Sequence, residues 1–385
     1  MLRHSSLFCQ LLDVFPRNEF QSLVRDIGTE RHSKGFASWD HFVAMLFCQL
    51  AQAKSLREIS DGLGTCLGKL NHLGISKAPC KSTLAYANKN RSWTLFETVF
   101  YRLSQRVQFN GKVAKRLKLP GKLYSLDATV ITLCLAMFDW AHYRSAKGAV
   151  KLHLVLDHDG YLPRFANITK GSVHDLTPTH HLKFPFGSVV VVDRGYWSLG
   201  LFYSWIRDNV FFVTRYKKGN RFRTIEKRKV QDNVLSDHFI ELANPEARKR
   251  YPYILRRVVY RAPETNKTYI FITNQMEVPA QVIADVYKER WQIELFFKAI
   301  KQNLKIKTFI GTTPNAVMTQ IWTALVVMLL LRYLKLKAKR GWALSNLVAM
   351  IRWNLFTYRD LWTWLDDPFE VPPGAPPLEQ LSLGF

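Results

Sequence analysis

Residues 188–193 read SVVVVD. Four consecutive valines leave no polar face, so this run reads as a strand buried on both sides, the kind found in a sheet covered by helices. Further strand signals lie on either side of it. Residues 123–131 (LYSLDATVI), 149–157 (AVKLHLVLD), 162–170 (LPRFANITK) and 209–214 (NVFFVT) carry alternating or continuous apolar patterns. The Gly-containing turn DHDGY joins the second and third of these into an expected hairpin, and 177–182 and 199–208 are the expected helical connections around the valine strand.

The sequence changes character outside this block. Residues 1–118 read as helix after helix, with Trp39, Phe42, Met45, Leu46 and Leu50 at amphipathic spacing behind the cap-like Ser38. SLREISDGLG (55–64) is a short helix closed by glycine, and a second helix begins near Ser82 in KSTLAYANKNR. Such a pair, followed by basic residues, suits a helix-turn-helix-like contact with DNA. After the valine strand comes RYKKGNRFRTIEKRK (215–229), with eight bases and one acid, and then more β signal in YILRRVVY and TYIFITN. The expected organisation is a helical DNA-binding region at 1–118, an α/β catalytic domain at 119–335 with a β-rich insertion at 215–266, and a helical C-terminal region with a Pro-rich tail at 336–385.

With 385 residues and 48% apolar composition the chain is globular and long enough for one large core or two to three smaller ones. Fifty-five Lys and Arg against thirty acids leave a charge of +25, and eleven Trp and fifteen Tyr accompany those bases, a composition that points to nucleic acid as partner. The five Cys, at 9, 48, 66, 80 and 134, form no CxxC pair and read as reduced thiols in a cytoplasm. They and His180-His181 lack zinc-ligand spacing. No charged-then-apolar signal pattern opens the chain, and the longest apolar run, 321–331, is too short to cross a bilayer of about 30 Å, so it reads as a buried core helix and no membrane partner is expected.

Three acids stand out by position. Asp127 lies in the first strand, Asp193 ends the valine strand, and Glu294 lies in YKERWQIELFFKAIK (287–301). If that stretch is one helix, Tyr287, Arg290, Glu294 and Lys301 fall within about 60° of arc, at the edge of a buried face formed by Ile293, Phe296, Phe297, Ile300 and Leu304. Open sheets place their chemistry at strand ends, where a helix can bring a third carboxylate. Oxygen ligands of this kind suit Mg²⁺ or Mn²⁺, and two such ions about 4 Å apart serve phosphodiester chemistry. Each acid also has a plainer reading: a strand-end Asp as cap or turn former, Glu294 as a solvated helix charge with Lys298 at i+4. His174-Asp175 reads either as a metal or general-base pair or as a helix cap, and Asp139, Asp157 and Asp159 belong to turn-like segments.

Together these motifs resemble the DDE transposases of bacterial insertion sequences, in the group with a Y-x2-R-x3-E-x6-K signature, insertion-sequence family four. The signature stands as Tyr287, Arg290, Glu294 and Lys301, the second Asp motif as Asp193-Arg-Gly-Tyr196, and the first as Leu126-Asp127-Ala-Thr129; WAHYRSAKGAVKLH and GSVHD are also similar. The stretch RHSKGFASWDHFVAMLFCQL resembles the N-terminal domain often attached to such enzymes. The resemblance implies an RNase-H-like mixed sheet flanked by helices, with Asp127, Asp193 and Glu294 as catalytic metal ligands for two Mg²⁺ or Mn²⁺ ions. It further implies DNA contacts by Tyr287, Arg290 and Lys301, and cut-and-paste transposition through a hairpin, with a flipped base held by Trp291, Tyr216 or Phe222. The insertion's Arg221, Arg223, Lys227 and Lys229 are expected to face DNA. Implied partners are the inverted-repeat ends, target DNA and a second copy in a synaptic homodimer, in a bacterial cytoplasm at the nucleoid. Alternatives are an RNase-H-like nuclease or resolvase without strand transfer, and a DNA-binding repressor derived from a transposase.

Overall fold

The computed structural model describes residues 5–31, 35–66, 70–107, 113–134, 138, 140, 142–144, 147–306 and 308–370. Asp139 and the Pro-rich tail from 371 lie outside them. Helices α1 (Leu7–Asp13), α2 (Arg17–Ile27), α3 (Ser38–Leu50), α4 (Leu56–Gly64), α5 (Lys81–Asn90), α6 (Thr94–Arg106) and α7 (Val113–Arg116) come first. The Ser55 hydroxyl accepts from Glu58 N to cap α4, and α5 follows with Leu84 and Ala87 turned inward.

The strands are β1 (Leu123–Leu133), β2 (His142–Arg144), β3 (Lys147–Asp157), β4 (Leu162–Lys170) and β5 (Val189–Val192); after α8 (Leu199–Arg207) come β6 (Phe211–Arg215), β7 (Phe222–Lys227) and β8 (Val234–Leu242). Helix α9 (Pro245–Arg250) leads to β9 (Leu255–Arg261) and β10 (Thr268–Thr273). The chain continues through α10 (Ala280–Glu289), α11 (Trp291–Asn303), α12 (Pro314–Lys337), α13 (Leu344–Asn354) and α14 (Leu361–Asp366).

All strands join one ten-stranded sheet of order β2-β3-β1-β5-β6-β10-β9-β8-β7, with β4 on β3. β1, β3 and β4 are antiparallel neighbours, whereas β1-β5 and β5-β6 are parallel, which gives the RNase-H-like mixed sheet. The valines of β5 divide between two cores: Val190 and Val192 pack with α8, and Val189 and Val191 pack with α10. Burial on both faces follows.

Helix α12 is apolar enough by length and composition to span a bilayer, yet its most apolar stretch is buried, where it packs against α3, α5, α6 and β4. It joins the N-terminal helices to the sheet in one continuous core.

The segment 215–266 is β-rich, and its β7, β8 and β9 continue the main sheet through β10. Its basic run nonetheless lies at the sheet's outer edge, since β7 pairs only with β8 and is almost wholly exposed. One expectation changes here: YKERWQIELFFKAIK is not one helix. The chain breaks at Arg290, where the amide of Arg290 bonds Tyr287 O and that of Ile293 bonds Arg290 O, two tight i→i+3 turns between α10 and α11.

Candidate active site

Leu126 and Val192 are register partners in parallel strands, so Asp127 and Asp193, one residue further along each, leave neighbouring strands at the same level. Strand spacing of about 4.8 Å sets their backbones side by side. Helix α11 carries Glu294 to the same place. Arg290, at the α10-α11 break, spans the gap: Nη1 lies 3.4 Å from Asp127 Oδ2, and Nη2 bonds Glu294 Oε1. Two of the three carboxylates thus flank one guanidinium. The third is held by the Tyr287 hydroxyl, which donates to Asp193 Oδ1 at 3.3 Å.

Burial raises the Asp127 carboxyl to about 6; the Ala128 amide and Arg290 oppose this, while Glu294 and Asp193 add to it through their negative charge. Three carboxylates lie within electrostatic reach of one another, and Asp127 is half-buried. Among the described residues no three His, Cys, Asp or Glu side chains already stand close enough to share an ion. The guanidinium of Arg290 occupies that centre instead, and its buried Nε has no acceptor. An oxygen-only donor set that already holds a positive group fits Mg²⁺ or Mn²⁺.

The signature residues were expected to offer their groups to phosphate. They are engaged within the protein instead: Tyr287 and Arg290 on the carboxylates, and Lys301 Nζ on the Thr129 hydroxyl (2.6 Å) and Val130 carbonyl (3.0 Å) of β1. Thr129 was not foreseen as a partner, although Asp-x-Thr on one strand places both side chains on the same face. Asp127, Thr129, Glu294, Lys298 and Lys301 line an open cleft of about 420 Å³.

Other candidates fall outside this cluster. Asp175 pairs with Lys151 at 2.9 Å, and His174 Nδ1 accepts from the Leu176 amide, so the His caps the following turn rather than the Asp. Asp157 is buried and holds Lys122. Tyr216 and Phe222 are half-buried against each other, whereas Trp291 is 56% exposed and lines a cavity of about 680 Å³ with Arg290, Tyr287 and Tyr269. Arg221, Arg223, Lys227 and Lys229 lie on or beside the β7 edge, with Arg223 paired to Glu241; Arg228 turns inward to Met276 O and Asp237.

Carboxylates from two adjacent parallel strands and a packed helix on an RNase-H-like sheet, in a chain of charge +25, define a class of enzymes that break phosphodiester bonds of nucleic acids. The family described as "Transposase DDE domain" matches residues 119–330, and the chain belongs to it. A "Domain of unknown function (DUF4372)" matches 3–76. The chain is 31% identical to a putative transposase, y4zB, of Sinorhizobium fredii over 66% of this chain and 71% of that one. It is 25% identical, over 91% of both chains, to a probable transposase for insertion sequence element IS5377 of Geobacillus stearothermophilus. A third relative, transposase InsG for insertion sequence element IS4 of Escherichia coli, is 28% identical over 39% of this chain and 35% of that one. The protein is accordingly an insertion-sequence transposase, an enzyme of DNA cleavage and strand transfer that acts on DNA with a divalent metal ion.

Proposed function

We propose that Asp127, Asp193 and Glu294 are the catalytic carboxylates and hold two Mg²⁺ or Mn²⁺ ions. The observation that carries this reading is the pairing of Leu126 with Val192, which sets two Asp residues side by side, together with the Arg290 bridge to Glu294. When bound, the ions would activate the attacking hydroxyl and stabilise the leaving oxygen. The chain's own groups position the DNA. Arg290 is suited to a bidentate grip on a phosphate, and Lys301 supplies a point charge further along α11. Of the three aromatics considered for a flipped base, Trp291 has the exposure that stacking needs.

The reaction is water attack at the element's end to free a 3′-OH, then attack of that 3′-OH on target DNA, in which one phosphodiester bond forms as another breaks. Two ends must meet, so a homodimer is the assembly expected on DNA, in a cell compartment that holds the chromosome. The test is a duplex with the element's terminal inverted repeat, incubated with Mg²⁺. A transposase gives end-specific nicks and joined product, a nuclease nicks without joining, and a repressor binds without cutting.

The β7 edge supplies the sequence-independent grip. Neutralising Arg221, Arg223, Lys227 and Lys229 together is expected to weaken DNA binding and to lower the slope of log affinity against log salt by about three to four, one per lost phosphate contact. An unchanged slope would send the DNA along a different surface.

A further inference from the structure

Beneath the three carboxylates lies a second polar cluster that the reading above does not use. Ser125 is two residues before Asp127 on β1 and therefore on the same face. Its hydroxyl is hydrogen-bonded to His158 Nε2 at 2.6 Å, and His158 Nδ1 lies 3.5 Å from Glu289 Oε2. The Tyr161 hydroxyl donates to the same oxygen at 3.4 Å, and Arg116 of α7 pairs with Oε1. Glu289 is the residue immediately before Arg290. The arrangement has the order of a Ser-His-acid triad, but Ser125 and His158 are 0% exposed, so no substrate reaches the hydroxyl.

We propose that Ser125, His158, Tyr161 and Glu289 are positioning residues that lock the α10-α11 break to β1, and so set Arg290 and Glu294 opposite Asp127. This rests on the catalytic reading of those carboxylates. The break needs such a lock, because Arg290 is at once the end of α10 and the start of α11: the backbone amide of Arg290 closes α10, and the first turn of α11 has no side-chain cap. The His158 contact is the largest influence holding the Glu289 carboxyl below its ordinary range; burial opposes it and Arg116 adds to it, so Glu289 is anionic in the cluster.

The β3-β4 turn is built to present these groups. Gly160 has φ +90°, and a Cβ there would fall 2.5 Å from Leu336 of α12; Tyr161 adopts φ 56°, a left-handed conformation unfavourable for a non-glycine residue. Contacts that outweigh such strain are those with His158 and Glu289. The turn is therefore pinned by α12 on one side and by the helix break on the other.

The experiment compares Ser125→Ala, Glu289→Gln and Glu294→Gln in the full chain. Amide hydrogen exchange at 287–294 is measured without metal, and nicking kinetics with Mg²⁺. Expected are faster exchange at the break in the first two variants and a loss in kcat on the order of 10- to 100-fold with KM for DNA kept, the cost of a displaced catalytic group. Wild-type exchange and kcat in folded Glu289→Gln would overturn the proposal. Ser125→Ala, which removes one hydroxyl, reads the same lock if Glu289→Gln fails to fold. If Glu294→Gln nicks normally, the catalytic reading fails, while the exchange data still decide whether the lock exists.

Discussion

Glu294→Gln abolishes strand nicking and leaves the protein folded and able to bind an element end. The side chain is a third exposed, on the first turn of α11, and its hydrogen-bonded partner among the described residues is Arg290 at i−4, a pair that the amide oxygen of Gln can still engage. The core face of that helix, Ile293, Phe296, Phe297 and Ile300, is untouched. Stability should therefore change by well under about 1 kcal/mol, as for other partly exposed ion pairs. What disappears is one of three negative charges available to a divalent cation. Metal ions supply several kcal/mol of charge stabilisation in such reactions, and each ~1.4 kcal/mol is tenfold in rate, so the loss is on the order of a thousandfold or more. Gel-shift binding and nicking on the same duplex check it: a near wild-type nicking rate would reduce Glu294 to a surface helix charge. Binding should tighten slightly, because a carboxylate facing a polyanion repels it when no metal intervenes.

The central strands were legible because their burial is written locally. Four valines in a row point to a strand buried on both faces, and DHDGY between two apolar runs points to a hairpin, both of which the structure has; the mixed, partly parallel sheet was implied only by the family resemblance. The helix break at Arg290 was not legible. No Pro or Gly interrupts YKERWQIE, and the break coincides with contacts that only the fold supplies: Arg116 and His158 at Glu289, and Asp127 at Arg290. Likewise, a run of bases such as RFRTIEKRK reads as a solvated loop by charge; that 222–227 forms a strand depends on pairing with β8, including the Arg223-Glu241 ion pair across the two strands. The three catalytic candidates could be picked out by position, whereas Ser125, His158 and Glu289 could not, since nothing in one sequence marks residues that meet only through the fold.

The same blindness hides the contact with the largest expected effect on stability. Arg256 of β9 is 1% exposed and Asp237 of β8 3%; Nε and Nη2 each donate to the carboxylate at 2.8 Å, and Nη1 donates to the Val278 carbonyl at 2.6 Å. The pair ties the outer sheet to residues 275–278, which lead directly into α10 and hence to Tyr287 and Arg290. Asp237→Ala leaves a guanidinium buried with carbonyl oxygens alone, and breaking a buried pair from one side costs about 3–5 kcal/mol. Replacing both partners by apolar groups of similar volume, Asp237→Leu with Arg256→Met, should cost less, because no fully buried guanidinium is then left without a carboxylate; Arg228, which also loses Asp237, is a third exposed and keeps the Met276 carbonyl. The chain is too large for a single unfolding free energy to be assumed, so the measurement is the opening free energy of β8, β9 and β10 amides by native-state hydrogen exchange. A loss below about 1 kcal/mol in Asp237→Ala would mean that water or a neighbour rescues Arg256, and that the outer strands are held by their ladder bonds alone. A loss near the expected size that also speeds exchange in α10 would make the outer sheet a structural support of the catalytic helices as well as a surface for DNA.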